Sequence, residues 1–140
     1  MGRARARLPS AQAWALALNY DGRGAGLAGA PVAAASGAPG EVGAHAFLDG
    51  ALLRVLLTGR TAPSAGGATA GLAVAFPAGT PAGTVTAQAW GFSKGAPALA
   101  RLPDVELPCG EGAGAGAVAL PAWSATLLVL PWGAGACVAR

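Results

Sequence analysis

His45-Ala46-Phe47-Leu48-Asp49-Gly50-Ala51-Leu52-Leu53-Arg54-Val55-Leu56-Leu57 is the stretch on which the fold of this 140-residue chain turns. Two short apolar runs flank an Asp-Gly pair. Glycine accepts positive φ without strain, so Asp49-Gly50 suits a two-residue type I′ turn and the stretch predicts a β-hairpin. Successive strand side chains point to opposite faces, which puts Leu53, Val55 and Leu57 together. Arg54 falls opposite them, where its charge is expected to stay in water.

The same punctuation continues on both sides. Prolines and glycines recur roughly every eight to twelve residues with short apolar stretches between them, the pattern of an antiparallel β-sandwich. Trp14 to Asn19 and Val32 to Ser36 are expected as early strands. Ala68 to Phe76 alternates bulky Leu72, Val74 and Phe76 with Gly71, Ala73 and Ala75, and Pro77 ends it. In Gly83 to Phe92, the residues Thr84, Thr86, Gln88, Trp90 and Phe92 share a face, and β-branched threonines favour a strand. Leu102 to Leu107 and Ala117 to Leu120 are short strands, separated by a glycine-rich loop from Gly110 to Gly116. Trp123 to Leu130 is the strongest strand. The expectation is an all-β, antiparallel two-sheet sandwich of about eight strands without a stable helix. It occupies residues 13–132, between a basic arm (1–12) and a loose tail (133–140). One domain is what this length accommodates.

Composition removes several function classes. The chain is 54% hydrophobic and 11% charged, against about 25% charged in ordinary domains. That is too little charge for a disordered acidic or basic tail. The interior is rich in alanine, and each missing buried methylene forgoes about 0.8 kcal/mol, so a thin core is expected. The longest apolar run, Ala117 to Trp132, is interrupted by Pro121, Ser124, Thr126 and Pro131, so no membrane span is expected. Arg3, Arg5 and Arg7 before Ala11 to Leu18 imitate a signal peptide, but the apolar run is short and no small-residue cleavage site follows. The net charge is +3; three of the cations crowd into the first seven positions and no basic stripe interleaves with aromatics, so nucleic acid is not an expected partner. Cys109 and Cys137 form either one disulfide, in an oxidising compartment, or two thiols.

Chemistry-bearing patterns are sparse. Gly24-Ala25-Gly26-Leu27-Ala28-Gly29 fits G-x-G-x-x-G, but that motif needs a strand before it and a helix opening after it. Pro31 and a strand-like run follow instead, so no dinucleotide cofactor is expected. His45 is the single histidine, which leaves no histidine-based metal site, and no serine sits in a G-x-S-x-G elbow. Asp104 and Glu106, at i and i+2 on a strand, stand about 7 Å apart, the scale of a glycosidase carboxylate pair. Such a pair needs a cleft in a larger scaffold, so solvated strand carboxylates are expected. Trp14, Trp90 and Trp123 are assigned to the core. Tyr20 and Trp132 are the candidate carbohydrate contacts, because exposed aromatic faces stack on the apolar faces of pyranose rings.

Asn19-Tyr20-Asp21-Gly22-Arg23-Gly24, followed by Gly26-Leu27-Ala28-Gly29-Ala30-Pro31-Val32, resembles the N-Y-D-G-x-G … F-G-D-x-S-V segment that opens the C-terminal β-domain of glycoside hydrolase family 44. The hairpin around Asp49-Gly50 continues the similarity. Leu120-Pro121-Ala122-Trp123-Ser124-Ala125-Thr126-Leu127-Leu128-Val129-Leu130 resembles the final L-P-x-x-S-x-T-L-L-V-L strand of clan-A glycosidases. Departures are Leu27 and Gly29-Ala30, where the family has phenylalanine and aspartate, and Thr58-Gly59-Arg60 after the hairpin, where it has N-K. The resemblance implies a parent enzyme, a secreted endoglucanase-type hydrolase of β-1,4-glucans such as cellulose or xyloglucan. Its (β/α)₈ barrel, which carries the catalytic glutamates, would be this domain's partner. No residue of this chain matches a catalytic position. The implied role is a non-catalytic sandwich that packs against and stabilises the barrel. The alternative is a free-standing carbohydrate-binding module using Tyr20 and Trp132 on a β-glucan.

Overall fold

A computed structural model describes residues 9–38, 40–60, 67–133 and 135–138. The arginines of the expected basic arm (Arg3, Arg5, Arg7) and the side chain of Trp14 lie outside the described residues. One helix and eight strands follow in order: α1 (Pro9–Asn19), β1 (Ala30–Val32), β2 (Val42–Asp49), β3 (Leu52–Gly59), β4 (Ala68–Leu72), β5 (Gly83–Ser93), β6 (Ala100–Cys109), β7 (Gly116–Leu120) and β8 (Ser124–Pro131). They form a six-stranded antiparallel sheet, β1-β2-β3-β8-β5-β6, faced by a two-stranded sheet, β4-β7. The all-β sandwich is therefore present, with one helix added.

That helix replaces an expected strand. Trp14, Leu16 and Leu18 alternate with alanines at the period of a strand, yet the segment winds as α1. Alanine is the strongest helix former, and Pro9 is preset for the first helical position. Burial follows the helical period: Leu16 and Tyr20, four apart, are 3% and 6% exposed, whereas Leu18 is 62% exposed. The second early strand also shifts, to Ala30–Val32, three residues pairing with β2.

The central hairpin forms one residue later than read. Asp49 pairs with Leu52 as the last strand pair, so Gly50-Ala51 is the turn. Gly50 has φ 61° and Ala51 is not in the positive region. Glycine-first is the pattern of a type II′ turn, which matches strand twist as well as type I′ does. Asp49 is thereby kept on the strand.

Leu53, Val55 and Leu57 do share a buried face. Register extends that face across the sheet: Val55 pairs with Leu128 and Leu53 with Leu130, and Ala89 pairs with Leu128 from the other side. Val118 and Leu120 of β7 close over it. Trp90, assigned to the core, packs in a second cluster on the opposite face with Leu16 and Tyr20. The smaller sheet is too narrow to cover the larger. Cavities of about 700 Å³ and 410 Å³ remain, one between β7 and β6 and one between residues 72–75 and β2–β3. The segment after β4 leaves strand geometry at Ala73, and Trp132 holds it: its Nε1 donates to the Ala75 carbonyl at 2.8 Å and its ring stacks on Phe76 at 6.3 Å.

Both outer strands of the large sheet carry prolines, Pro31 in β1 and Pro103 and Pro108 in β6. Among the described residues of the expected loose tail, Cys137 and Val138 are fastened to the body. Cys109 and Cys137 form a disulfide, and Thr84 and Val138 exchange two backbone hydrogen bonds of 2.8 and 2.9 Å.

Candidate functional site

The far side of the six-stranded sheet, opposite β4-β7, is where long polar and aromatic side chains collect. Strand register sets them in rows. Phe47, Arg54, Val129 and Gln88 are successive partners across β2, β3, β8 and β5; His45, Leu56, Leu127, Trp90 and Arg101 form the neighbouring row. Helix α1 lies on this face and closes a second small core of Leu16, Tyr20, Leu127 and Val129.

Arg54, expected in water, is 7% exposed. Alternation placed it on the outer face correctly, but that face is covered by α1 and the loop after it. Its Nε donates to the Tyr20 hydroxyl at 3.1 Å. Nη1 donates to the Ala28 carbonyl at 3.4 Å and to Asp49 Oδ2 at 3.3 Å. Burial opposes its charge, yet the Tyr20 hydroxyl and the Asp49 carboxylate outweigh that and raise its pKa above the ordinary value. A buried guanidinium held by several oxygens is a structural clamp. It ties the start of the loop after α1, its end and the hairpin turn to one point.

Tyr20 is accordingly no open sugar platform. Its ring meets Trp90 edge-on with centroids 4.7 Å apart, and the Arg54 guanidinium lies 5.8 Å from its centroid. Trp90 is covered in turn by Arg101, whose guanidinium carbon sits 4.8 Å from the ring centroid. Trp132 is half-buried, engaged with Ala75 and Phe76. The two expected contacts stand on different faces of the large sheet and are not brought together.

The remaining candidates are separated as well. Asp104 and Glu106 are exposed on edge strand β6 on either side of the inward-facing Val105. Asp104 is occupied by Arg101, whose Nη2 is 2.6 Å from Oδ1. His45 is exposed opposite Leu56. The G-x-G-x-x-G stretch follows the end of α1 and leads into β1, the reverse of a dinucleotide site. Here glycines serve packing: at Gly29, φ 111°, an added Cβ would overlap the Leu48 carbonyl oxygen. Asp21 holds the same loop, accepting from the amides of Arg23 and Ala25 at 2.7 and 3.2 Å. The Arg23 amide, foremost, lowers its pKa below the ordinary 3.8. Among the described residues no group of three His, Cys, Asp or Glu could hold a metal ion, and no helix is long and apolar enough to cross a membrane.

Trp123, assigned to the core from the sequence, is 51% exposed. It precedes β8 with φ 45°, the one non-glycine residue in the left-handed region among the described residues. It forms a wall of a cleft of about 560 Å³ with Thr58, Arg60, Phe92, Lys94 and Ser124. The neighbouring Pro121 was the available signal that the chain turns here before the strand begins.

No protein-family model matches the sequence, and the search of curated proteins found no match. Solved structures do match in fold. One is the crystal structure of CelM2, a bifunctional glucanase-xylanase protein from a metagenome library, at 24% identity and a TM-score of 0.62, covering 89% of this chain. Another is a Paenibacillus polymyxa xyloglucanase from glycoside hydrolase family 44, at 19% identity and a TM-score of 0.67, covering 88%. This chain spans 22% and 23% of those proteins. At such identities the likeness establishes a shared fold.

Proposed function

We propose that this chain is the non-catalytic β-sandwich domain of a β-1,4-glucan-hydrolysing glycosidase, in which it packs against and stabilises a (β/α)₈ catalytic barrel. The carrying observation is that nearly the whole chain superposes on less than a quarter of two larger glycan-degrading enzymes. A barrel of that kind needs about 250 residues, more than this chain has. The family-44 resemblance of the Asn19-to-Val32 and Leu120-to-Leu130 segments points the same way. Helix α1 is the element offered to the barrel, because it lies on the outer face with Leu18 turned outward. Extracellular residence accords with the Cys109–Cys137 bridge, since disulfides persist in oxidising compartments.

The test is co-expression with a family-44 barrel lacking its own sandwich. Co-purification and a raised melting temperature of the barrel are expected. Separate elution with an unchanged barrel would reject the reading. Pull-down on cellulose and on xyloglucan-coated cellulose, with hydrolysis measured on the same samples, separates the alternative. Retention without hydrolysis, reduced by Trp132→Ala, supports a free-standing carbohydrate-binding module.

A further inference from the structure

The chain contains two Asp-Gly pairs, Asp21-Gly22 and Asp49-Gly50. Either can cyclise, because glycine has no side chain to shield its amide nitrogen from the preceding carboxyl group. Their surroundings differ. At Asp21 both reacting groups are committed: Oδ1 accepts from the Arg23 and Ala25 amides at 2.7 and 3.2 Å, and the Gly22 amide donates to the Asn19 carbonyl at 3.3 Å.

The tip of the central hairpin restrains its pair less. The Asp49 carboxylate meets Arg54 Nη1 at 3.3 Å and keeps 52% of its side chain in water. The Gly50 amide donates to no backbone carbonyl among the described residues, and Asp49, Gly50 and Ala51 are all exposed. Asp49 is also the carboxylate end of the Arg54 clamp. A change there reaches the loop after α1, because the same guanidinium holds the Tyr20 hydroxyl and the Ala28 carbonyl.

We propose that Asp49 is a self-modification site, converting to isoaspartate in the folded chain while Asp21 is held against the same reaction. The Gly50 nitrogen bonds to Asp49 Cγ, and one carboxyl oxygen leaves as water with the amide hydrogen and a proton from solvent. The product is a five-membered succinimide. Water then adds to the Asp49 backbone carbonyl carbon, breaks its bond to the nitrogen, and returns the proton as the new carboxyl ionises. Nothing is oxidised or reduced. The main chain now runs through the former side chain and is one carbon longer. The carboxylate sits directly on Cα, so it withdraws from Arg54, and it is the group that an isoaspartyl carboxyl methyltransferase accepts.

The test is to age the full chain at neutral pH, both folded and in concentrated guanidinium chloride, and to map isoaspartate by enzymatic carboxyl methylation. Trypsin, cutting after Arg7, Arg23 and Arg54, places the two pairs on separate peptides. In the folded chain Asp49 should isomerise at least ten-fold faster than Asp21, and in denaturant that ratio should collapse to a few-fold or less. Equal rates in the folded chain, or an unchanged ratio in denaturant, would overturn the structural selection. Isomerisation of both pairs in denaturant with none at Asp49 in the folded chain would overturn the site. The isomerised fraction, separated by hydrophobic-interaction chromatography, should melt below the parent. In an Arg54→Met background that drop should be at most half as large; an equal drop in both backgrounds would overturn the link to the clamp.

Discussion

The two faces of the six-stranded sheet solve the same burial problem with opposite materials. The inner face uses short side chains, Ala46, Ala87 and Ala89 among Leu53, Val55, Leu128 and Leu130, under a two-stranded cover. The outer face uses long ones, Arg54, Trp90 and Arg101, under a single helix. Short residues cannot bridge the gap left by a narrow cover, and cavities result. Long residues reach across their gap and bring polar ends that must be satisfied. The inner face therefore depends on area and cross-linking, and the outer face on a few directed contacts.

The largest expected effect breaks the inner face at its staple. Replacing both Cys109 and Cys137 with alanine frees a 28-residue span. The chain-entropy account gives a loss of about 3.5 kcal/mol for a loop of this length, measured as the change in urea unfolding free energy. Leu128→Ala comes next. Leu128 is fully buried, and a leucine-to-alanine change costs about 3 kcal/mol where the site cannot collapse. A loss below about 1 kcal/mol would mean that the neighbouring cavities let the inner face relax.

Arg54→Ala tests the outer face and should cost about 2 kcal/mol, since it strands the buried Tyr20 hydroxyl. It should fall short of the cost of a fully buried ion pair, because Asp49 is 52% exposed and regains water. Arg54→Met should lose less than Arg54→Ala, because it keeps the apolar stem. An equal loss in the two variants would show that the charged head, not the apolar stem, holds α1 down.

The smallest effect concerns the loop leaving α1. The Asp21 carboxyl is held below its ordinary pKa of 3.8 by the Arg23 amide above all. A depressed folded-state value means stabilisation that is present above pH 3.8 and lost as pH falls through the folded pKa. Protection factors of the Arg23 and Ala25 amides, taken against intrinsic exchange at each pH, should fall over that acidic window in the parent and stay level in Asp21→Asn.

What was legible in the sequence divides along the same line. Leu53, Val55 and Leu57 fixed the inner face because strand alternation and burial agree there. The Ser124–Pro131 strand was plain from its unbroken β-branched and leucine run, Thr126 to Leu130. The outer face misled. Alternation gives the side on which Arg54 lies but says nothing of what covers that side, and the cover was a helix whose Trp14-Leu16-Leu18 spacing imitates a strand. Tyr20 then looked free because its roof and floor, Arg54 and Trp90, come from distant strands. Trp123 looked buried by extension of the β8 alternation, although Pro121 marks a turn before that strand and Trp123 adopts φ 45° there. Tertiary placement decided the Arg54 and Tyr20 cases, and local pattern cannot carry it.

The prolines at the sheet's two margins bear on how the molecule behaves among copies of itself. Pro31 removes an amide from β1, which is only three residues long. Pro103 and Pro108 remove two from β6, where Arg101 and Asp104 add charge. An incoming strand needs a continuous ladder of donors and acceptors, and neither margin supplies one. Growth into fibrils by edge-to-edge addition is blocked at both ends of the sheet. Copies of this protein should therefore not add strands to either margin of the six-stranded sheet.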